Sequence, residues 1–387
     1  MSETNTPIYI NLAVNTGINS NASQNLDNSP AEINFSNEDV IAVDPSQYYL
    51  SLNRALLNTS LIPMYIFPIQ NGKTQTDINL SPFKIRFEYY NSSGLLIYGL
   101  TSPIIYKSQV LDKNPFPPSQ NNGLQDFINS PLYYYVYDID WILNIFNTNI
   151  KSVFATFCTN LLSSGVTVNN TQFPFYTYSS STRLFSLNFP ISLYDQNALP
   201  QISFYMDSTS GDLFGCPRNI YTQEKDTNYL MLCYDVYNNT VDYNNENYYT
   251  MTASQNQFNI WCPVKRILFS ITDLPVRLEI ENSFTNIAFT AQDNNSLSSI
   301  NRPNLNIFFD LSVNQDEWAL NRNVVQYAVS SIAESRLVNL GSGSYIRNFT
   351  INIFWTDTFG NYRPLLASPN SQNNLKLVLY SKKTMLV

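Results

Sequence analysis

Apolar and polar residues alternate with a period of two along most of the chain, which marks strands with one buried face. The alternation, carried by aromatic and β-branched side chains, predicts strands at Ile8–Val14, Gln47–Leu57, Phe83–Tyr90, Arg266–Ile271, Val276–Ile280, Leu305–Val313, Val324–Leu340 (interrupted), Tyr345–Trp355 and Leu375–Tyr380. Turn-forming clusters separate them, such as NASQNLDNSP at 21–30 and ASPNSQNN at 367–374. Many short strands without alternating helices predict antiparallel sheet, hence a sandwich or barrel rather than a βαβ fold.

One stretch departs from this pattern. Between Asp140 and Leu162 the apolar residues Ile142, Ile145, Phe146, Ile150, Val153, Phe154, Phe157 and Leu161 recur mostly at spacings of three and four, the stripe of an amphipathic helix. Asp138 or Asp140 can cap its start, and Ser163-Ser164-Gly165 supplies the stop. A helix packed on a sheet is expected. Its single basic residue, Lys151, gives it little to attract anionic lipid.

The chain thus divides into an all-β opening, a middle containing the helix, and an all-β close. The two outer parts hold about eight strands, and eight antiparallel strands in two sheets make a jelly roll. The expected fold is all-β: a single eight-stranded jelly roll from residues 1–89 and 256–387, with a large, mainly β domain inserted at 90–255. Loops at the end of a sandwich tolerate such insertions because few core contacts depend on them.

Composition narrows the chemistry. The 387 residues are 44 % apolar and only 13 % charged, about half the usual charged share of ~25 %. There are 21 basic and 29 acidic residues, for a net charge of −8, which argues against direct nucleic-acid binding through clustered Lys and Arg. Histidine is absent, so Ser-His-Asp and Cys-His catalysis and His-ligated zinc are excluded. Asn makes up roughly one residue in seven, in keeping with turns built on Asn rather than Gly. The opening MSETNTPIYINLAVN has neither a basic nor an apolar leader segment, so no secretory signal is expected. The longest apolar stretch, Leu61 to Ile69, is broken by Pro63 and Pro68, and no membrane insertion is expected.

The remaining candidates for chemistry are sparse. Glu279 and Glu281 share one face of an expected strand, and Asp316-Glu317 lies near Trp318. A glycosidase would need two carboxylates about 5–10 Å apart in a sugar-sized cleft; surface acids are the commoner case. Cys158, Cys216, Cys233 and Cys262 form no C-x-x-C pair, which favours free buried thiols over a metal site. The GSGS at 341–344 lacks the lysine of a phosphate loop and reads as a turn. Tyr133–Tyr137 (YYYVY) can be a sugar-stacking platform or a half-buried strand leading into the helix, and the strand is favoured. No cofactor, metal or catalytic residue is expected.

The C-terminal third carries a resemblance. WCPVKRILFSITDLPVRLEIE at 261–281, FFDLSVNQDEWALNRNVVQYAVSSIAESRLVNLGS at 308–342, FTINIFWTDTFGNYRPLLASPNS at 349–371 and LKLVLYSKK at 375–383 together resemble the penton (minor capsid) proteins of virophages and Polinton-like viruses, those of Sputnik-type virophages above all. VDPSQYYLSLNRALLNTSLIPMY at 43–65 and SPLYYYVYDIDWILNIFNTNIKSVF at 130–154 agree. The ordered series carries the likeness, which fades from about 166 to 255.

The resemblance implies a structural capsid protein with a single jelly roll in the shell and an inserted domain on the outer side. It implies a homopentamer at each five-fold vertex, beside capsomers of a double-jelly-roll major capsid protein, in the virion assembled inside the host cell. A five-membered ring is a heterologous contact, one flank complementing the opposite flank of the next copy, and obligate contacts of this kind are large and rather apolar. Trp261, Pro263 and Trp355, at the ends of expected strands, are candidates to line it; packing within their own core is the competing expectation. An alternative function is host attachment, with the Tyr-rich inserted domain binding glycan.

Overall fold

A computed structural model describes residues 7–15, 32–68, 80–109, 134–195, 199–215, 220–224, 227–232, 240–243, 246–254, 261–276, 306–313, 324–329, 335–341, 343, 345–357, 362–366 and 372–385. The chain forms two units, one from Met1–Pro63 with Cys262–Val387 and one from Met64–Trp261.

The first unit is built on eight main strands: β1 (Ile8–Asn15), β2 (Glu32–Ser36), β3 (Tyr48–Asn58), β4 (Val264–Thr272), β5 (Ile307–Ser312), β6 (Val324–Ala328), β7 (Asn348–Asp357) and β8 (Gln372–Ser381). One sheet has the order β1-β8-β3-β6 and the other β5-β4-β7-β2, with antiparallel pairing throughout. Pairing first with eighth, second with seventh, third with sixth and fourth with fifth is what results when one long hairpin rolls up on itself. That is the connectivity of a jelly roll. The insertion occupies the connection from β3 to β4.

The core of this unit follows from alternation, with one irregularity. Register between β3 and β8 slips between Leu52↔Leu377 and Arg54↔Lys376, leaving Asn53 as an extra residue. A bulge of this kind resets the alternation. Leu50 and Leu52 before it and Ala55 and Leu57 after it therefore all turn inward and are fully buried. Leu375, Leu377 and Leu379 of β8 join them, and the other sheet contributes Ile267, Phe269 and Ile271 of β4 with Ile351 and Ile353 of β7.

The inserted unit has two larger sheets of its own, besides the two-stranded pair Tyr65–Ile66 and Tyr135–Val136. Strands Ile220–Glu224, Thr227–Leu232, Gln201–Asp207, Leu80–Tyr90 and Leu96–Ile105 form one in that order. Strands Thr240–Tyr243, Glu246–Thr252, Leu184–Pro190 and Phe175–Ser179 form the other. The helix expected at Asp140–Leu162 is α1 (Ile139–Ser163). Asp138 caps it by accepting from the Trp141 N–H at 2.7 Å, and left-handed Gly165, at φ 80°, ends it. Its buried stripe meets aromatic rings from the first sheet, with Phe87 5.1 Å from Phe154 and Phe83 5.4 Å from Phe146.

Two expectations about organisation need correction. The insertion starts at Met64 rather than 90 and ends at Trp261 rather than 255. Phe83–Tyr90 is indeed strand, but it pairs with Leu96–Ile105 and Gln201–Asp207 and so belongs to the inserted unit. Its place in the roll is taken by β2, whose five residues gave too short an alternation to register. Val276 makes a single bridge to Leu340; the rest of the strand expected at Val276–Ile280 lies outside the described residues.

Candidate functional site

The three residues expected at contacts between copies are all buried in their own units. The Trp261 side chain is 1 % exposed; its Nε1–H donates to the Leu213 carbonyl at 2.8 Å, and its ring stacks on Phe185 at 5.1 Å. Trp355, 2 % exposed, sits opposite Ile267 of β4 and opposite Arg363 of the short strand Tyr362–Pro364. The Arg363 guanidinium lies 5.7 Å from its ring centre and is also paired with buried Asp357 at 3.2 Å. Pro263 is buried as well. As folded, the three supply core instead of contact surface. Their position at strand ends suggested exposure, whereas the size of an indole ring favours enclosure.

The favoured reading of Tyr133–Tyr137, a strand leading into the helix, holds over its described part, and the rings are more deeply buried than expected. Tyr134, Tyr135, Val136 and Tyr137 are buried, and Tyr135–Val136 pairs with Tyr65–Ile66 as a short strand just ahead of α1. No sugar can stack on rings enclosed in this way. Tyr133 lies outside the described residues.

Three carboxylates are buried among the described residues, and each is occupied by donors. Glu88 accepts from Arg86 Nε at 2.8 Å and from the Tyr90 hydroxyl at 2.7 Å. Asp207 accepts from the backbone N–H groups of Lys84, Thr209 and Ser210 at 2.9–3.2 Å and from the Ser210 hydroxyl at 2.5 Å. Asp357 is held by Arg363. Carboxylates engaged by donors of the fold in this way hold structure together. Glu279, Glu281, Asp316, Glu317 and Trp318 lie outside the described residues, as do Cys216 and Cys233. Cys158 and Cys262 are free and buried, and burial pushes each thiol up to about 11. Among the described residues no cluster of potential metal ligands is present, and no helix is long and apolar enough to cross a membrane.

The first unit offers contact surface elsewhere. The segment Ser36–Val43, just after β2, exposes Glu38 and Asp39 together with Val40 (43 % exposed) and Val43 (80 %). It is pinned to the start of β7. Asn37 N–H donates to the Arg347 carbonyl at 3.3 Å, Ile41 N–H to the Ile346 carbonyl at 2.9 Å, and Ile346 N–H to the Ala42 carbonyl at 2.8 Å. Arg347 Nε also donates to the Asn37 carbonyl at 2.9 Å. Two acids followed by exposed valines in SNEDVIAV was the available sequence signal, and turn chemistry obscured it.

The model of one protein family, Sputnik minor capsid protein V18/19, matches residues 8–381. The chain belongs to this family. It is therefore a structural protein of the capsid, and its place is the virion. Among solved structures, the chain is similar to one in the cryo-EM structure of the Sputnik virophage, with a TM-score of 0.72 and 21 % identity, covering 98 % of this chain and 99 % of that one. It is also similar to the mavirus penton protein in its selenomethionine-labelled crystal form, with a TM-score of 0.59 and 12 % identity over 97 % of this chain and 100 % of that one. At such identities the likeness is one of fold. No curated protein matches the chain.

Proposed function

We propose that this capsid protein stands at the five-fold vertices of an icosahedral shell as a ring of five copies, each flanked by capsomers of a double-jelly-roll major capsid protein. The observation that carries this reading is the closed roll: all eight strands are present in the order of a rolled hairpin, although 198 residues, Met64–Trp261, interrupt it at one connection. A module that stays complete despite such an insertion can fill a shell position on its own. The likeness in fold to the mavirus penton protein supports the same placement. The role is structural and not enzymatic, in keeping with the family. Burial of Tyr134, Tyr135 and Tyr137 removes the support for a glycan-binding alternative through those rings.

Stepwise disruption of purified particles, followed by native mass spectrometry of what is released, tests the proposal. A five-membered assembly of this chain is expected. Its absence from washed particles, or its release in any other closed stoichiometry, contradicts the reading.

A further inference from the structure

Charge is distributed unevenly over the jelly roll. Strands β1, β8, β3 and β6 carry two charged residues between them, Arg54 and Lys376, and these are direct cross-strand partners. Directly opposed residues share a face of the sheet, and like charges placed there repel. Arg54 is exposed and Lys376 half-buried, with the Lys376 ammonium 4.5 Å from the centre of the Tyr9 ring. Among the described residues neither has a carboxylate partner. The same row across the sheet is completed by short side chains, Asn11 on β1 and Ala328 on β6. The face is therefore low around its two cations, and Tyr9 (55 % exposed) and Val324 (47 %) add apolar surface.

The complementary feature belongs to the other sheet. Six acids precede Arg54, the first basic residue of the chain. Two of them, Glu38 and Asp39, stand exposed on the pinned segment after β2, beside Val40 and Val43. Four hydrogen bonds to Ile346 and Arg347 fix that segment's backbone, so little ordering entropy remains to be lost on docking.

We propose that the outer face of the sheet β1-β8-β3-β6, centred on Arg54 and Lys376, receives the Ser36–Val43 segment of a second copy of the chain. Glu38 and Asp39 meet the two cations, and Val40 and Val43, which follow the acids, run on to the exposed ring of Tyr9. The proposal rests on the ring reading above and deepens it. Face and segment are different surfaces of one unit, which is what a head-to-tail ring requires, whereas a two-fold dimer needs a self-complementary patch. Opposite charge at the contact also offsets the Arg54–Lys376 repulsion, which in the free chain is eased by the Tyr9 ring beside Lys376 and by solvent around Arg54.

Ring formation by the full chain, followed by native mass spectrometry at matched concentrations, provides the test. Arg54→Glu combined with Lys376→Glu places four acids together and is expected to weaken assembly about 10- to 100-fold. Glu38→Lys combined with Asp39→Lys is expected to do the same, and all four substitutions in one chain should restore assembly. Denaturation curves of each variant separate misfolding from loss of contact, and rings of the unaltered chain should loosen as salt rises. Unimpaired assembly of the first double variant, failure of the four-fold exchange to rescue folded chains, or salt-insensitive rings would overturn the contact while leaving the ring standing. A charge-reversed chain that forms normal rings yet is excluded from particles would reassign the face to a neighbouring capsomer. If the unaltered chain forms no five-membered ring in solution or in particles, the ring reading itself fails, and the contact with it.

Discussion

Asn147 bonds the backbone of Tyr176 as a neighbouring peptide group would: its Nδ2 donates to the Tyr176 carbonyl at 2.9 Å, and its Oδ1 accepts from the Tyr176 N–H at 2.7 Å. Two residues on, Asn149 does the same to Ile105, with both distances at 2.9 Å. Tyr176 and Ile105 lie on the terminal strands of the two larger sheets of the inserted unit. One helix thus satisfies an open edge of each sheet through two side-chain amides, at places where unpaired backbone would invite foreign strands.

Asn147→Ala leaves both backbone groups of Tyr176 without these partners. The residue is 2 % exposed, so water offers little compensation. A loss of about 2–4 kcal/mol is expected from urea denaturation. Asn147→Asp should cost at least as much, because it keeps the acceptor but sets a carboxylate against the Tyr176 carbonyl.

The helix itself was legible in the residues, for physical reasons. Its apolar spacing, the Asp138 cap and the Ser-Ser-Gly stop are all local, and local signals do not depend on which sheet the helix meets. The bridging role of Asn147 and Asn149 was not legible, since nothing in an Asn on the flank of a stripe says which edge it faces. Strands show the same division. Period-two alternation revealed β1, β3, β4, β5, β6, β7 and β8, but the strand Leu80–Tyr90 alternates equally well and pairs inside the insertion. Alternation reports a buried face and does not name a partner. Trp261, Pro263 and Trp355 misled for a related reason, because sequence position at a strand end does not determine burial. The like-charge pair Arg54–Lys376 depends on a register separated by more than three hundred residues, set in part by the Asn53 bulge.

Trp261 should behave as a core residue. Trp261→Ala removes a ring packed against Phe185 and Tyr65 and leaves the Leu213 carbonyl without its donor. A destabilisation of about 3–5 kcal/mol is expected, visible in the isolated chain before any assembly. A variant that unfolds like the unaltered chain yet fails to assemble would instead restore Trp261 to a contact.

Lys382 closes the end of β8. Its ammonium donates to the Ser46 carbonyl at 2.5 Å and to Asn339 Oδ1, and it lies 5.1 Å from the centre of the Tyr49 ring. Lys382→Met keeps most of the aliphatic stem but removes these charged donors, for an expected loss of about 1–3 kcal/mol. Lys383→Met, one residue on and exposed, serves as the comparison and should change stability less.

Burial governs the two described thiols. Cys158 and Cys262 are raised from an ordinary value of 9.0 to about 11, so the folded chain holds these protons where the unfolded chain releases them. Stability is accordingly unaffected by these groups near neutral pH, and it falls as pH climbs from about 9 towards about 11. Peptide mapping after alkylation at pH 8 should find both thiols protected in the native chain and labelled after denaturation. Rapid native labelling of either would contradict its enclosure.

A density map of the whole particle bears most directly on the central claim. At each five-fold vertex the account predicts five copies of one eight-strand roll, each entered and left by its insertion between β3 and β4. A vertex filled by another protein, or this chain standing anywhere but around a five-fold axis, would contradict it.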